Sequence, residues 1–311
     1  MNQAQKKKLI KPLYSHWEQF PNSTLREVLL DFREWCAKGK LIINKQGHAV
    51  PFRLNEAQEK VAELILSKTF APIPEPISLV IHKSRQMGIS VVLAALEQYI
   101  VDRKQNLNIT HLMPDEQLAY QFFNEKWQPL AEGTHPQLLP DMYPTLSPTP
   151  YIKVGDFHGR NMNCNIKIGG AGSPAAGRSG TQHVVILDEY AFYPNVNALE
   201  RGILATQPKT GMVLTIYVST ANGMNWFYDT VKQSESPTSH MEHLFLPWHL
   251  LKEYEMDVKE GSRFYDLDLY TPTDYDMKLM DIFEKAGYPE DSWLRKMEWY
   301  DHVLDKEAKG D

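Results

Sequence analysis

The chain has 311 residues, 42% hydrophobic and 23% charged, with a formal net charge of −6. This balance excludes a disordered chain and predicts a packed core, in one large α/β domain or two small ones. No apolar run approaches the ~20 residues that span a bilayer, and the acidity is local: residues 251–311 hold 17 Asp and Glu against 9 Lys and Arg, a net of −8, which leaves +2 on residues 1–250.

The stretch Met1 to Lys8 lacks the apolar segment of a secretory signal. Lys6, Lys7 and Lys8 with Lys11 form a basic patch, a pattern more often a solvated tail than a binding surface. Overall charge therefore neither supports nor excludes nucleic acid. Cys36 and Cys164 lie far apart without metal-ligand spacing and read as reduced structural thiols of a cytosolic protein. A helix is predicted over 25–38, with Leu25, Val28, Leu29 and Phe32 on one face and Ser23 or Thr24 as its cap. The segment Phe52 to Gln58 opens a second helix, running through Leu66. Ala71 to Pro76 reads as a rigid linker.

Strands and helices then alternate. A strand over 77–83 leads to a helix over 89–103, and a strand from Leu107 to Met113 leads to a helix from Asp115 to Leu130. His135 to Pro150 carries five prolines in sixteen residues and is expected to be irregular. A short strand, Asn165 to Ile168, precedes a Gly-rich loop over 169–180. Strands over 184–188 and 212–219 flank a helix over 196–206, and Met241 to Trp248 is a last strand. The rhythm predicts a mainly parallel, doubly wound sheet flanked by helices, with ligands at its strand ends. From about Leu250 it is lost. The aromatic, acidic tail, with a helix over 292–306, reads as a lid, linker or subdomain, or as a solvated helical extension.

Three segments carry chemistry. Lys83-Ser84-Arg85-Gln86-Met87-Gly88-Ile89-Ser90 lies between an apolar strand and a helix, the setting of a phosphate-binding loop. Against the strict pattern G-x-x-x-x-G-K-[ST], Gly88 and Ser90 match, Lys83 stands at the first Gly and Ile89 at the Lys. The positive charge thus sits at the start of the turn, within a side chain's reach of a phosphate. About a hundred residues on, Val185-Ile186-Leu187-Asp188-Glu189 has the form of a Walker B strand, in which the Asp serves Mg²⁺ and the Glu polarises water. The third segment, Leu214 to Gly223, ends in Ser219, Thr220 and Asn222, small polar groups suited to sensing a γ-phosphate from a neighbouring strand. Each alone has an ordinary reading: a strand-to-helix turn capped by Ser90, a buried strand ending in acids, a turn. In this order and spacing they point together to a nucleotide site.

On these three segments the chain resembles the ATPase domain of the large terminase subunit of tailed bacteriophages, a P-loop NTPase of the ASCE (RecA-like) class. The resemblance covers roughly residues 50–250. It implies residues 1–50 as a helical extension, 51–250 as the ATPase core and 251–311 as a small linker or lid. It implies a motor that uses ATP and Mg²⁺ to drive double-stranded DNA into a procapsid. Portal protein, small terminase subunit and a homo-oligomeric ring would be its partners, in the host cytoplasm and with no membrane. By resemblance, Lys83, Ser84, Arg85, Gln86, Met87, Gly88, Ile89 and Ser90 cradle the phosphates, and Phe52 and Gln58 match an adenine-side motif. Ser90 and Asp188 serve Mg²⁺, Glu189 activates water, and Ser219, Thr220 and Asn222 couple hydrolysis to movement. Arg178 resembles a finger acting in trans, with a loop-anchoring surface role as the alternative; Arg85 is the cis candidate. The family's nuclease domain finds no room after residue 250, so an ATPase domain alone is expected. A superfamily 2 helicase or translocase, and a catalytically weak nucleotide-binding scaffold suggested by Ile89, remain the alternatives.

Overall fold

The computed structural model describes residues 24–44, 46–146, 149–172, 180–194 and 196–309, in two units, Met1–Leu246 and Pro247–Asp311. The basic patch at Lys6 to Lys11 and Arg178 lie outside the described residues.

Unit one opens with helix α1 (Leu25–Gly39), which starts at Thr24 through a capping box with Glu27. A small antiparallel hairpin follows, β1 (Leu41–Ile43) and β2 (Ala49–Pro51). Residues 24–51 are thus helix plus hairpin; three-residue strands are too short for alternation to reveal. Helix α2 (Glu56–Thr69) is capped reciprocally by Asn55 and Gln58. Strand β3 (Ile77–Lys83) then enters the main sheet and helix α3 (Ile89–Arg103) leaves it. Twelve of the fifteen residues of α3 are buried, which explains its apolar run: a helix enclosed on all sides needs no polar face. α1 docks on it through Asp31, which accepts from Arg103 Nη2 at 2.8 Å and from the Tyr99 hydroxyl at 2.7 Å.

Strand β4 (Asn108–Met113) is followed by three helical pieces where one helix was predicted: α4 (Glu116–Phe122), a π-helical turn (Phe123–Trp127) and α5 (Gln128–Glu132). Pro129 has no N–H and its ring crowds the carbonyl four residues back, so the helix widens just before it. The proline-rich segment is not wholly irregular. It contains β5 (Met142–Thr145), with Pro144 tolerated because β5 is the edge of the sheet. Strand β6 (Tyr151–Phe157) pairs with both β5 and β7 (Arg160–Gly170), a strand far longer than predicted. It ends in Gly169 and Gly170; a Cβ on Gly170 would stand 2.4 Å from the Glu116 backbone nitrogen, so only glycine admits the start of α4 there. Strand β8 (Val184–Asp188), helix α6 (Val196–Thr206), strand β9 (Leu214–Ser219), helix α7 (Trp226–Ser234) and strand β10 (Met241–Leu246) complete the unit.

The eight-stranded sheet runs β10-β3-β9-β8-β4-β7-β6-β5. The first six strands are mutually parallel, and β6 and β5 add antiparallel pairings at one side. This is the mainly parallel P-loop NTPase sheet with helices against it, and β9 lies between β3 and β8. The register puts His82 opposite Ser219 and Asp188 opposite Val218, so the carboxyl ends of three strands finish at one level. Both cysteines are buried and free. Among the described residues no helix is long and apolar enough to cross a membrane.

Unit two contains helices α8 (Asp274–Lys285) and α9 (Glu290–Lys309) around a core of Phe264, Leu279, Phe283 and Met297. It therefore has packing of its own and is no plain extension of the chain. Arg263 joins its parts: it grips Asp276 with two hydrogen bonds, 2.6 and 2.8 Å, and Asp301 at 2.6 Å. Burial works against ionisation of Asp276, but the Arg263 guanidinium and the Thr273 backbone and hydroxyl outweigh it and hold the carboxyl well below its ordinary value of 3.8. A depressed carboxyl pKa contributes stability above the unfolded value and loses it as pH falls. Arg263→Ala is therefore expected to destabilise the chain by about 1.5–3 kcal/mol at neutral pH. In thermal denaturation followed by near-UV circular dichroism, the gap between variant and wild type should shrink below pH 4; a gap that is constant with pH contradicts the assignment.

Candidate active site

The loop between β3 and α3 carries two residues with left-handed backbone, Gln86 at φ +59° and Gly88 at φ +70°. Such alternation turns successive N–H groups toward one concavity, which suits an anion. Gly88 is also the N-cap of α3. It offers no side-chain acceptor, and the first turn holds no acidic residue, so the positive end of a fifteen-residue helix is left uncancelled. The loop is held from behind. Gln58 Nε2 donates to the Gly88 carbonyl at 2.9 Å, and Asn55 Nδ2 to the Met87 carbonyl at 3.2 Å. Ser84 is tied to β10, its N–H reaching the Leu246 carbonyl at 3.1 Å.

Lys83 ends β3, is 8% exposed, and makes a 2.8 Å ion pair with Glu189 Oε1. Glu189 itself sits in the left-handed region at φ +55°, an uncommon conformation for a side-chain-bearing residue and one that clusters at working sites. Its second oxygen, Oε2, is buried without a hydrogen-bond partner. Next to it, Asp188 is fully buried; Oδ2 accepts from the Ser90 hydroxyl at 2.7 Å and Oδ1 from the Glu189 N–H at 3.0 Å. Burial pushes the Asp188 carboxyl up, but His111, Lys83 and Ser90 more than offset this and hold it ionised below the usual range. The imidazole of His111 lies 3.8 Å from Oδ2, an ion-pair distance too long for a hydrogen bond. Although burial acts against its charge, Glu97 and Asp188 raise its pKa to about 9.

The third segment grips the turn after Asp188-Glu189. Ser219 Oγ accepts from the Ala191 N–H at 3.1 Å, and Asn222 Nδ2 reaches the Ala191 carbonyl at 3.5 Å. Asn225, which sequence reasoning missed, makes the stronger contact to that carbonyl at 2.8 Å and also caps α7. Its position just ahead of Trp226-Phe227 is the cap signal that would have found it. His111, the lone imidazole in an apolar strand, and Glu97, the lone acid in the apolar run of α3, were missed as well.

A cleft of about 550 Å³ opens at these strand ends, lined by Lys83, Arg85, Gln86, Pro114, Asp115, Leu118, Glu189, Phe192 and Thr220. The size is that of a small-molecule site. Not every predicted residue faces it. Met87 and Ile89 are buried and do not line it. Phe52 is 1% exposed and presents no stacking face. The Gln58 amide is engaged at both ends, by Asn55 N–H and Gly88 carbonyl; it braces the loop. The donor set at Ser90 and Asp188, a hydroxyl and a carboxylate, suits a hard cation such as Mg²⁺. No group of three or more His, Cys, Asp or Glu able to hold a metal occurs among the described residues, so such an ion would take its other ligands from phosphate and water.

Known structures share this fold. The chain is similar to the crystal structure of the HK97 bacteriophage large terminase at 19% identity and a TM-score of 0.54, over 84% of this chain and 51% of that one. It thus spans about half the length of that protein. It also matches the large terminase of a thermophilic bacteriophage in complex with ATP-gamma-S, at 14% identity, 72% of this chain, 51% of that chain and a TM-score of 0.48. The Thermus phage P74-26 large terminase ATPase domain matches at 21% identity, 62% of this chain, 84% of that chain and a TM-score of 0.42. No protein-family model and no curated protein matches the sequence.

A Cβ at position 88 would stand 2.7 Å from Gln58 Nε2 and would be forced into the left-handed region. Gly88→Ala should therefore cost about 1–2 kcal/mol in chemical denaturation from the backbone alone, and more with the contact. In the Gln58→Ala background the cost should fall by about 0.5–1 kcal/mol, because the obstructing amide is gone. Strict additivity of the two changes would remove Gln58 as the brace.

Proposed function

We propose that this chain is a nucleoside-triphosphate-hydrolysing domain of the phage large-terminase type, the engine of a motor that moves double-stranded DNA. The observation that carries the reading is that Lys83, at the end of β3, pairs on the cleft with Glu189, just after β8, while Ser90 in the first turn of α3 donates to Asp188 at the end of β8. The fold shared with the HK97 protein supports it. DNA, portal protein, small terminase subunit and a ring of like subunits are the partners this reading proposes, with action in the host cytoplasm.

The proposed division of labour follows from the geometry. The uncancelled start of α3 and the loop N–H groups bind phosphate, and Lys83 supplies the mobile charge that Ile89 does not. Ser90 and Asp188 would hold the Mg²⁺ accompanying the nucleotide, which supplies charge neutralisation at the phosphate oxygens when bound. A γ-phosphate reaching Lys83 competes with Glu189 for the ammonium. The carboxylate so released accepts a proton from the attacking water. Arg85, which lines the cleft, would meet charge developing on the phosphate in this reading. Ser219, Asn222 and Asn225 hold the Ala191 peptide, so displacement of Glu189 is passed to β9 and α7.

Two variants test this. Glu189→Gln should lower turnover by about 10²–10⁴-fold yet bind ATP-gamma-S more tightly, because the neutral amide no longer occupies Lys83. Lys83→Ala should lose nucleotide binding. Calorimetric titration and phosphate release decide it: wild-type turnover in either variant, or weaker nucleotide binding in Glu189→Gln, overturns the roles given to the pair.

A further inference from the structure

Beside Asp188 stand two buried titratable side chains that the roles above do not use. His111 is fully buried on β4, between β8 and β7, opposite Ile186 and Ile168. Its Nδ1 lies 2.5 Å from Glu97 Oε1, and its Nε2 faces Asp188 Oδ2 at 3.8 Å. Glu97 is 1% exposed, and its other oxygen accepts the Trp127 indole N–H at 2.9 Å. The Phe122 ring lies against the imidazole, with centroids 4.1 Å apart.

The imidazole thus has a hydrogen-bond partner at Nδ1 only, while Nε2 is buried, unpartnered and aimed at Asp188 from 3.8 Å. Burying polar side chains in the middle of a sheet is expensive, most of all where a ring nitrogen lacks a hydrogen-bond partner, and a hydrophobic side chain of similar size would fill the space at least as stably. The arrangement therefore does something that packing does not. Asp188 Oδ2 accepts from the Ser90 hydroxyl and faces His111 Nε2 at 3.8 Å, whereas Oδ1 accepts from the Glu189 N–H. These contacts define the rotation of the carboxylate.

We propose that Glu97 and His111 are positioning residues: Glu97 fixes His111, and His111 fixes Asp188 so that Oδ2 is offered at Ser90, where Mg²⁺ arriving with a nucleotide has to be met. Carboxylates that bind metals depend on such outer partners, whose loss typically costs 10–100-fold in metal affinity. The inference rests on the nucleotide-site reading above.

The test is binding of ATP-gamma-S to the full chain by calorimetry, in MgCl₂ and in EDTA, with a melting temperature for each protein. For wild type, affinity should be higher with Mg²⁺. In Glu97→Gln, which keeps the shape but not the charge, affinity in EDTA should stay as in wild type while the gain from Mg²⁺ shrinks by about 10-fold or more. Turnover should recover as Mg²⁺ is raised. The double variant Glu97→Gln/His111→Gln, which removes both titratable groups together, should lose the same gain and serves if the single change fails to fold. A full Mg²⁺ gain in a folded variant overturns the positioning role and leaves the nucleotide site standing. Equal losses with and without Mg²⁺, alongside a lower melting temperature, reduce the pair to a structural role and also overturn it. Wild-type protein that binds no nucleotide overturns the nucleotide-site reading, and this inference with it.

Discussion

The parallel register across β3, β9 and β8 governs the cleft. With His82 opposite Ser219 and Val218 opposite Asp188, Lys83, Ser219 and Asp188 finish at the same edge of the sheet. A slip of one residue in any of these strands would turn its side chains to the other face and bury or expose the wrong groups. Both faces of these strands are buried, with every residue of β8 and β9 enclosed, so the register has no slack. The loop after β3 and the turn after β8 are then close enough for Lys83 and Glu189 to pair without either strand being a neighbour of the other.

What surrounds the cleft is arranged to keep that edge rigid. Asn55 and Gln58, the two ends of one capping box, also hold the carbonyls of Met87 and Gly88, so the start of α2 and the loop are one hydrogen-bonded unit. Helix α3 is gripped on its far side by α1 through Asp31, Tyr99 and Arg103, and by buried Lys40, which donates to Gln98 at 2.6 Å. Burial lowers the Lys40 pKa to about 7, the cost of setting an ammonium beneath the hairpin. The polar residues of α3 that look out of place in an apolar helix, Glu97 and Gln98, are thus its connections: one to β4 and the π turn, the other to Lys40 and the Trp127 carbonyl.

Unit two follows different physics. Its hydrophobic core is small, and its organisation leans on Arg263 between two acids, on Lys296 with Glu255, and on stacked rings such as Tyr254 on Trp299 at 4.3 Å. The excess of acid there is partly consumed internally, so net charge alone says little about which surface would meet a partner.

The sequence by itself determined the elements whose period is long or whose strands are buried. The helices at 25–39, 89–103 and 196–206 and the strands at 77–83 and 184–188 stand at or within a residue of their predicted bounds, because a buried parallel strand is a continuous apolar run, the enclosed helix 89–103 has no polar face to blur it, and the other two repeat apolar residues at helical spacing. Order and spacing were also sufficient to single out Lys83, Gly88, Ser90, Asp188 and Glu189, since a phosphate loop and an acidic strand end are local patterns. The edge strand β5 and its neighbour β6 were not legible: Pro144, Gly155 and short alternation hide a pairing that only a neighbouring strand makes worthwhile. Nor was the sharing of partners. Gln58 braces Gly88 across 30 residues of chain, Glu189 rests on Lys83 across 106, and His111 meets Glu97 across 14. Side chains so distant in sequence acquire partners only when the sheet closes, and tertiary structure alone decides which polar groups in an apolar run are buried with a purpose.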